Sequence, residues 1–148
     1  MRLTRRGILA IAGGGWANAF LISSSHAIAE ETAEDLVKRL TGKIVTESER
    51  VHLTMPPKFP NGYTVPLSLA VDSPMTEADH VRQVLVLAPH NPIIEVAQFN
   101  FTPQRSIARV STRIRLAEPQ YVLAVAEMND GALLMAKSWV TVTSNGCA

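Results

Sequence analysis

The chain has 148 residues, 47% of them hydrophobic and 18% charged, a balance that suits one globular domain and excludes a charge-rich disordered segment. A formal charge of +1 leaves no electrostatic footprint for general nucleic-acid binding, and a single cysteine excludes an intramolecular disulfide and any multi-cysteine zinc or iron–sulfur site. Aromatic residues are only 5%, so the core must be built from Val, Ile, Leu, Ala and Met.

Residues 1–29 have the parts of an export signal. Arg2, Arg5 and Arg6 precede an apolar stretch over 8–22, and Ala27-Ile28-Ala29 offers the small side chains a signal peptidase admits, with cleavage expected after Ala29. The pair Arg5-Arg6 before a mildly apolar segment points to the twin-arginine route, which delivers folded cargo to the periplasm; an ordinary secretory signal is the alternative. The apolar run falls short of the ~20 residues that span a bilayer, so no membrane anchor is expected. Removing the leader takes away three arginines and no acidic residue, which turns the formal charge from +1 to negative.

The remainder, 30–148, reads as a single β-sandwich domain with a short N-terminal helix over 30–40. Leu36, Val37 and Leu40 share a helical face, Glu30, Glu31, Glu34 and Asp35 crowd its start, Lys38 and Arg39 its end, and Gly42 is a natural stop. Strands are predicted over 50–54, 64–71, 81–87, 95–101, 107–116, 121–128 and 132–143. The stretch 64–71 alternates Val65, Leu67, Leu69 and Val71 against polar or small residues, with Pro66 suggesting an edge or a bulge. The stretches 81–87 and 121–128 are apolar enough to be central. Asn61-Gly62 and Asn129-Asp130-Gly131 are tight-turn signals. About seven strands with regularly spaced turns predict a mainly β, immunoglobulin-like antiparallel sandwich, without the paired cysteines of an antibody domain.

Cys147 is the sole cysteine and stands next to the C-terminus, after Thr143-Ser144-Asn145-Gly146. A carboxylate beside it resists burial, and Asn145-Gly146 has neither bulk nor strand propensity, so a mobile tail is expected. Four residues beyond the last strand reach roughly 13 Å at about 3.3 Å each. A tethered thiol lacks the fixed base and oxyanion donors that nucleophilic catalysis requires. It is suited to being modified by other proteins. A cysteine incidental to function, or one that links a homodimer by a disulfide, is the competing reading.

Several stretches make the sequence similar to a known family: Asn61-Gly62-Tyr63-Thr64-Val65-Pro66, Asp72-Ser73-Pro74-Met75, Asn91-Pro92, Thr112-Arg113-Ile114-Arg115-Leu116, the run 120–127 beginning Gln120-Tyr121-Val122, and the stretch from Lys137 to the terminal cysteine. In this order, behind a twin-arginine-type leader, they resemble the SoxY family, the sulfur carriers of the periplasmic thiosulfate-oxidising (Sox) system. The resemblance implies an immunoglobulin-like sandwich paired with a smaller SoxZ-like subunit. It implies a covalent sulfur attachment point at Cys147 and an arm at Asn145 and Gly146. It further implies transient partners: a c-type haem enzyme, a di-manganese hydrolase and a sulfane dehydrogenase. The carrier itself would have no catalytic residue, metal or cofactor. The tail departs from the family's Gly-Gly-Cys-Gly-Gly ending, with Asn145-Gly146-Cys147-Ala148 in its place. A divergent paralogue with another thiol cargo, or a non-covalent adaptor, therefore stands beside the carrier reading.

The other candidates have plainer explanations. Arg109, Arg113 and Arg115, preceded by Arg105, recur at strand spacing, either as a basic stripe for an acidic partner or an anionic sulfur species, or as an exposed face kept soluble by charge. His52, His80 and His90 are scattered. Met55, Met75, Met128 and Met135 suit packing better than copper ligation. Glu77 and Asp79 near His80 have no accompanying nucleophile. Trp139 is expected in the core or at a subunit interface.

Overall fold

The computed structural model describes residues 30–147. The expected export signal, including Arg5, Arg6, Ala27 and Ala29, lies outside the described residues, as does Ala148. Helix α1 (Ala33–Thr41) starts at Thr32, whose hydroxyl accepts the Asp35 amide at 3.1 Å, and ends at Gly42. Its acids and bases are placed as the helix dipole favours. Leu36 and Val37 are buried, but Leu40 is 45% exposed. A nine-residue helix presses only its middle turn on the sheet, and Leu40 falls past that contact.

Nine strands follow among the described residues: β1 (Val45–Glu47), β2 (Val51–Thr54), β3 (Lys58–Phe59), β4 (Val65–Val71), β5 (Val81–Leu87), β6 (Glu95–Asn100), β7 (Arg109–Ile114), β8 (Gln120–Met128) and β9 (Leu133–Val142). They form two sheets. The larger runs β1-β9-β8-β5-β6, with β3 also on β9, and the smaller runs β2-β4-β7. The predicted strands pair antiparallel with one another, with Leu85 opposite Val125 and Leu69 opposite Val110. Asn129-Asp130-Gly131 makes the β8–β9 hairpin, closed by the Met128 amide on the Ala132 carbonyl at 2.9 Å.

Between the sheets, Val65, Leu67, Leu69 and Val71 of β4 meet Val84 and Val86 of β5 and Val122, Ala124 and Ala126 of β8. A second, smaller core lies on the outer face of the larger sheet, where Leu36 and Val37 cover Leu123, Val125, Leu133 and Met135. Lys43, just past the helix, reaches Glu127 at 2.8 Å. That hydrogen bond holds the Glu127 carboxyl below the ordinary carboxylate range, against the opposing effect of partial burial.

Three expectations need correction. Strands β1 and β3 have no alternation to betray them, and both lie parallel to β9, so the larger sheet is not wholly antiparallel. Pro66 sits in the middle strand of its sheet rather than on an edge strand. It is tolerated because β2 pairs only with Ser68–Val71, which leaves that flank of β4 open at Pro66. Asn61-Gly62 is no tight hairpin turn, since neither residue has positive φ. No helix among the described residues is long and apolar enough to cross a membrane.

Candidate functional site

The chain does not run straight out from the end of β9. The Thr143 hydroxyl donates to the Pro60 carbonyl. The Gly62 amide then donates to the Ser144 carbonyl at 2.9 Å, the Leu116 amide to the Gly62 carbonyl at 2.8 Å, and the Gly146 amide to the Leu116 carbonyl at 2.9 Å. The Cys147 amide donates to the side-chain oxygen of Asn145 at 2.7 Å. Gly146 is buried, Asn145 exposed and Cys147 half-buried. Gly62 and Gly146 meet backbone to backbone. A Cβ on Gly62 would overlap the Leu116 carbonyl and lie 2.6 Å from the Gly146 amide, and a Cβ on Gly146 would overlap the Gly62 carbonyl.

The platform under this tail is fixed by two polar side chains. Gln120 has no solvent exposure and Asn91 has 8%. The Gln120 amide donates to Asn91 Oδ1 at 3.0 Å and to the Glu118 carbonyl at 3.2 Å, while its oxygen accepts the His90 amide at 2.9 Å. Asn91 in turn donates to the Arg115 carbonyl at 2.8 Å and accepts the Ala117 amide at 2.9 Å. Every polar atom of both amides is therefore used. The segment that carries Leu116 is thereby tied to the loop between β5 and β6.

Cys147 lies on a groove of about 470 Å³ where the free edges of β6 and β7 face each other. Ile93, Val96 and Ile114 supply apolar wall, and Glu95, Arg113 and Arg115 supply charge. The groove combines a soft nucleophilic sulfur, an apolar lining and two guanidinium groups.

The structure thus brings Asn145, Gly146 and Cys147 together with Arg113 and Arg115. Arg109 and Arg113 of β7 and Arg115 just past it are exposed, and the Arg113 guanidinium donates to the Thr64 carbonyl at 3.2 Å. The histidines stay apart: His52 bonds Asp72, His80 the Thr76 carbonyl and His90 Glu118. Among the described residues no group of three or more His, Cys, Asp and Glu side chains is placed to hold a metal ion. Met55, Met75, Met128 and Met135 are all core residues. The Asp79 amide and carbonyl close a turn on Thr76, and its carboxylate lies 3.6 Å from Arg50. Trp139 is not in the core. It stands 46% exposed on the outer face of the larger sheet, edge-to-face with Tyr121 at 5.0 Å. Gly62, Leu116, Asn91 and Gln120 were not singled out for any role by residue chemistry alone. The Asn-Gly pair carried a signal, but for a turn rather than for a close approach.

The profile of a family described as sulfur oxidation protein SoxY matches residues 37–147. Comparison with curated protein sequences gives no match. Among solved structures, the sulfur carrier protein SoxY from Chlorobium limicola f thiosulfatophilum is similar at 27% identity and a TM-score of 0.60, over 74% of this chain and 94% of that one. A superoxide reductase (neelaredoxin) from Ignicoccus hospitalis is similar at 16% identity and a TM-score of 0.56, over 64% of this chain and 80% of that one. One from Nanoarchaeum equitans has 13% identity and a TM-score of 0.54, over 66% and 99%. The two reductases share the fold and carry no argument about chemistry.

Proposed function

The chain belongs to the SoxY family of sulfur oxidation proteins, and on that footing we propose that it holds thiosulfate-derived intermediates covalently on Cys147 and presents them to partner enzymes. Membership makes it a sulfur carrier rather than an enzyme. The observation that carries the covalent reading is the position of the only cysteine. It lies five residues past β9, half-buried, at a groove lined by Arg113 and Arg115. A thiosulfate joined there forms an S–S bond as the thiol proton passes to solvent and two electrons pass, one at a time, to a partner enzyme's c-type haem. Hydrolysis of that adduct by a di-manganese enzyme releases sulfate and leaves a persulfide, which a sulfane dehydrogenase can oxidise further. Arg113 and Arg115 favour anionic adducts near the groove, while Glu95 opposes them there. The working form is a heterodimer with a SoxZ-like subunit in the periplasm, exported through the twin-arginine leader.

The test is the intact mass of the protein isolated from its host during growth on thiosulfate, before and after reductant. Sulfane and thiosulfonate adducts are expected on the native chain and none on Cys147→Ser, with partner binding retained. An unmodified native mass, or a disulfide dimer alone, would overturn the proposal in favour of an adaptor or a carrier of another cargo.

A further inference from the structure

Past the Thr143 hydroxyl, which donates to the Pro60 carbonyl, the tail is seated on the sandwich by main-chain groups. Ser144, Gly62, Leu116 and Gly146 form a relay of three backbone hydrogen bonds: the Gly62 amide on Ser144, the Leu116 amide on Gly62 and the Gly146 amide on Leu116. The relay exists only because Gly62 and Gly146 both lack a Cβ, since either one would occupy space held by the other segment's backbone. Among the described tail residues no apolar side chain serves as an anchor, as Thr143, Ser144 and Asn145 are exposed. The hydrogen bonds are opposed by the entropy of ordering these residues, so seated and released states lie close in free energy.

We propose that the Gly62–Gly146 contact is a latch that gives the tail two states. In the seated state Cys147 rests on the groove between β6 and β7. In the released state the residues after Val142 extend as an arm. Asn145 is part of the device, because its side chain ties the Cys147 amide and keeps the cysteine turned onto the groove while the latch is closed. The purpose of the released state rests on the carrier reading, but the latch itself does not, because it is a property of the unmodified chain. Its place in the fold sets its direction of control. Leu116 is held by the Asn91–Gln120 platform and is fixed, whereas the segment around Gly62 enters β4 and carries the exposed Tyr63. A partner that displaces the segment at Gly62 would open the latch without touching the cysteine.

The experiment uses the protein as purified, with any partner subunit retained. It measures the rate at which a small neutral alkylating reagent, iodoacetamide, modifies Cys147, and the hydrogen exchange of the Gly146 amide. Gly62→Ala and Gly146→Ala are expected to raise the alkylation rate by about threefold to tenfold and to abolish protection at Gly146. Asn145→Gly is expected to raise the alkylation rate while leaving the Gly146 amide protected. If Gly62→Ala perturbs the entry to β4, Gly146→Ala decides, since it changes only the tail. Equal alkylation and exchange in the native chain and Gly146→Ala would overturn the latch. That result leaves sulfur loading, read separately by mass, untouched, and a chain with a working latch but no adduct would refute the carrier reading alone.

Discussion

Gln120 shows how much of the site rests on one side chain. Its amide satisfies three backbone or side-chain partners inside the protein, and Asn91 depends on it for one of its own. Replacing it by leucine keeps the volume but strands the His90 amide and one lone pair of Asn91. Gln120→Leu is therefore expected to cost about 2–3 kcal/mol, read as a lower midpoint in urea unfolding with unchanged slope. It should also loosen the tail, because Leu116 is held through the same network. Cys147 is conspicuous in the sequence as its one cysteine, and the structure places it on the groove between β6 and β7. Gln120 is not conspicuous, since glutamine is by default a surface residue and its burial depends on a partner loop remote in sequence. Gly62 was misread for a related reason. Glycine serves tight turns and close approaches equally, and only the segment lying against it distinguishes the two.

At the level of elements, the strands that build the main core were legible and the short ones were not. β4 alternates, β5 holds the apolar run Val84–Leu87 and β8 the run Tyr121–Ala126, and each pattern follows from which faces are buried. β1 and β3 have three and two residues, too few for a period, and their pairing is dictated by β9. Helix α1 was legible from its apolar face, its end charges and its stop at Gly42, but its depth of contact was not, as Leu40 shows. The second core is small, and Leu36 is 3% exposed at its centre. Leu36→Ala is expected to destabilise the protein by about 2–4 kcal/mol, measured by thermal or urea unfolding. Leu40→Ala on the same helix should change stability by less than about 0.5 kcal/mol, which separates packing from helix propensity.

For the whole molecule, the sandwich and its tail are separable. The two cores are complete without the residues after Thr143. A chain ending at Thr143 is expected to fold with a stability within about 1 kcal/mol of the native chain and to carry no sulfur. Full function in that truncated chain, assayed by restored thiosulfate-dependent growth, would instead mark the protein as an adaptor. The architecture was legible because a mainly β chain of this length with regular turns has few ways to close a core. The seat of the tail was not, because it joins three stretches that only the finished topology brings together. That last feature has a temporal side. Ser144 and Gly146 follow every strand of both sheets along the chain, and their partners, Gly62 and Leu116, are aligned only once both sheets have closed. A nascent or incompletely folded chain therefore carries its cysteine loose, and only a chain that has finished folding lays it to rest.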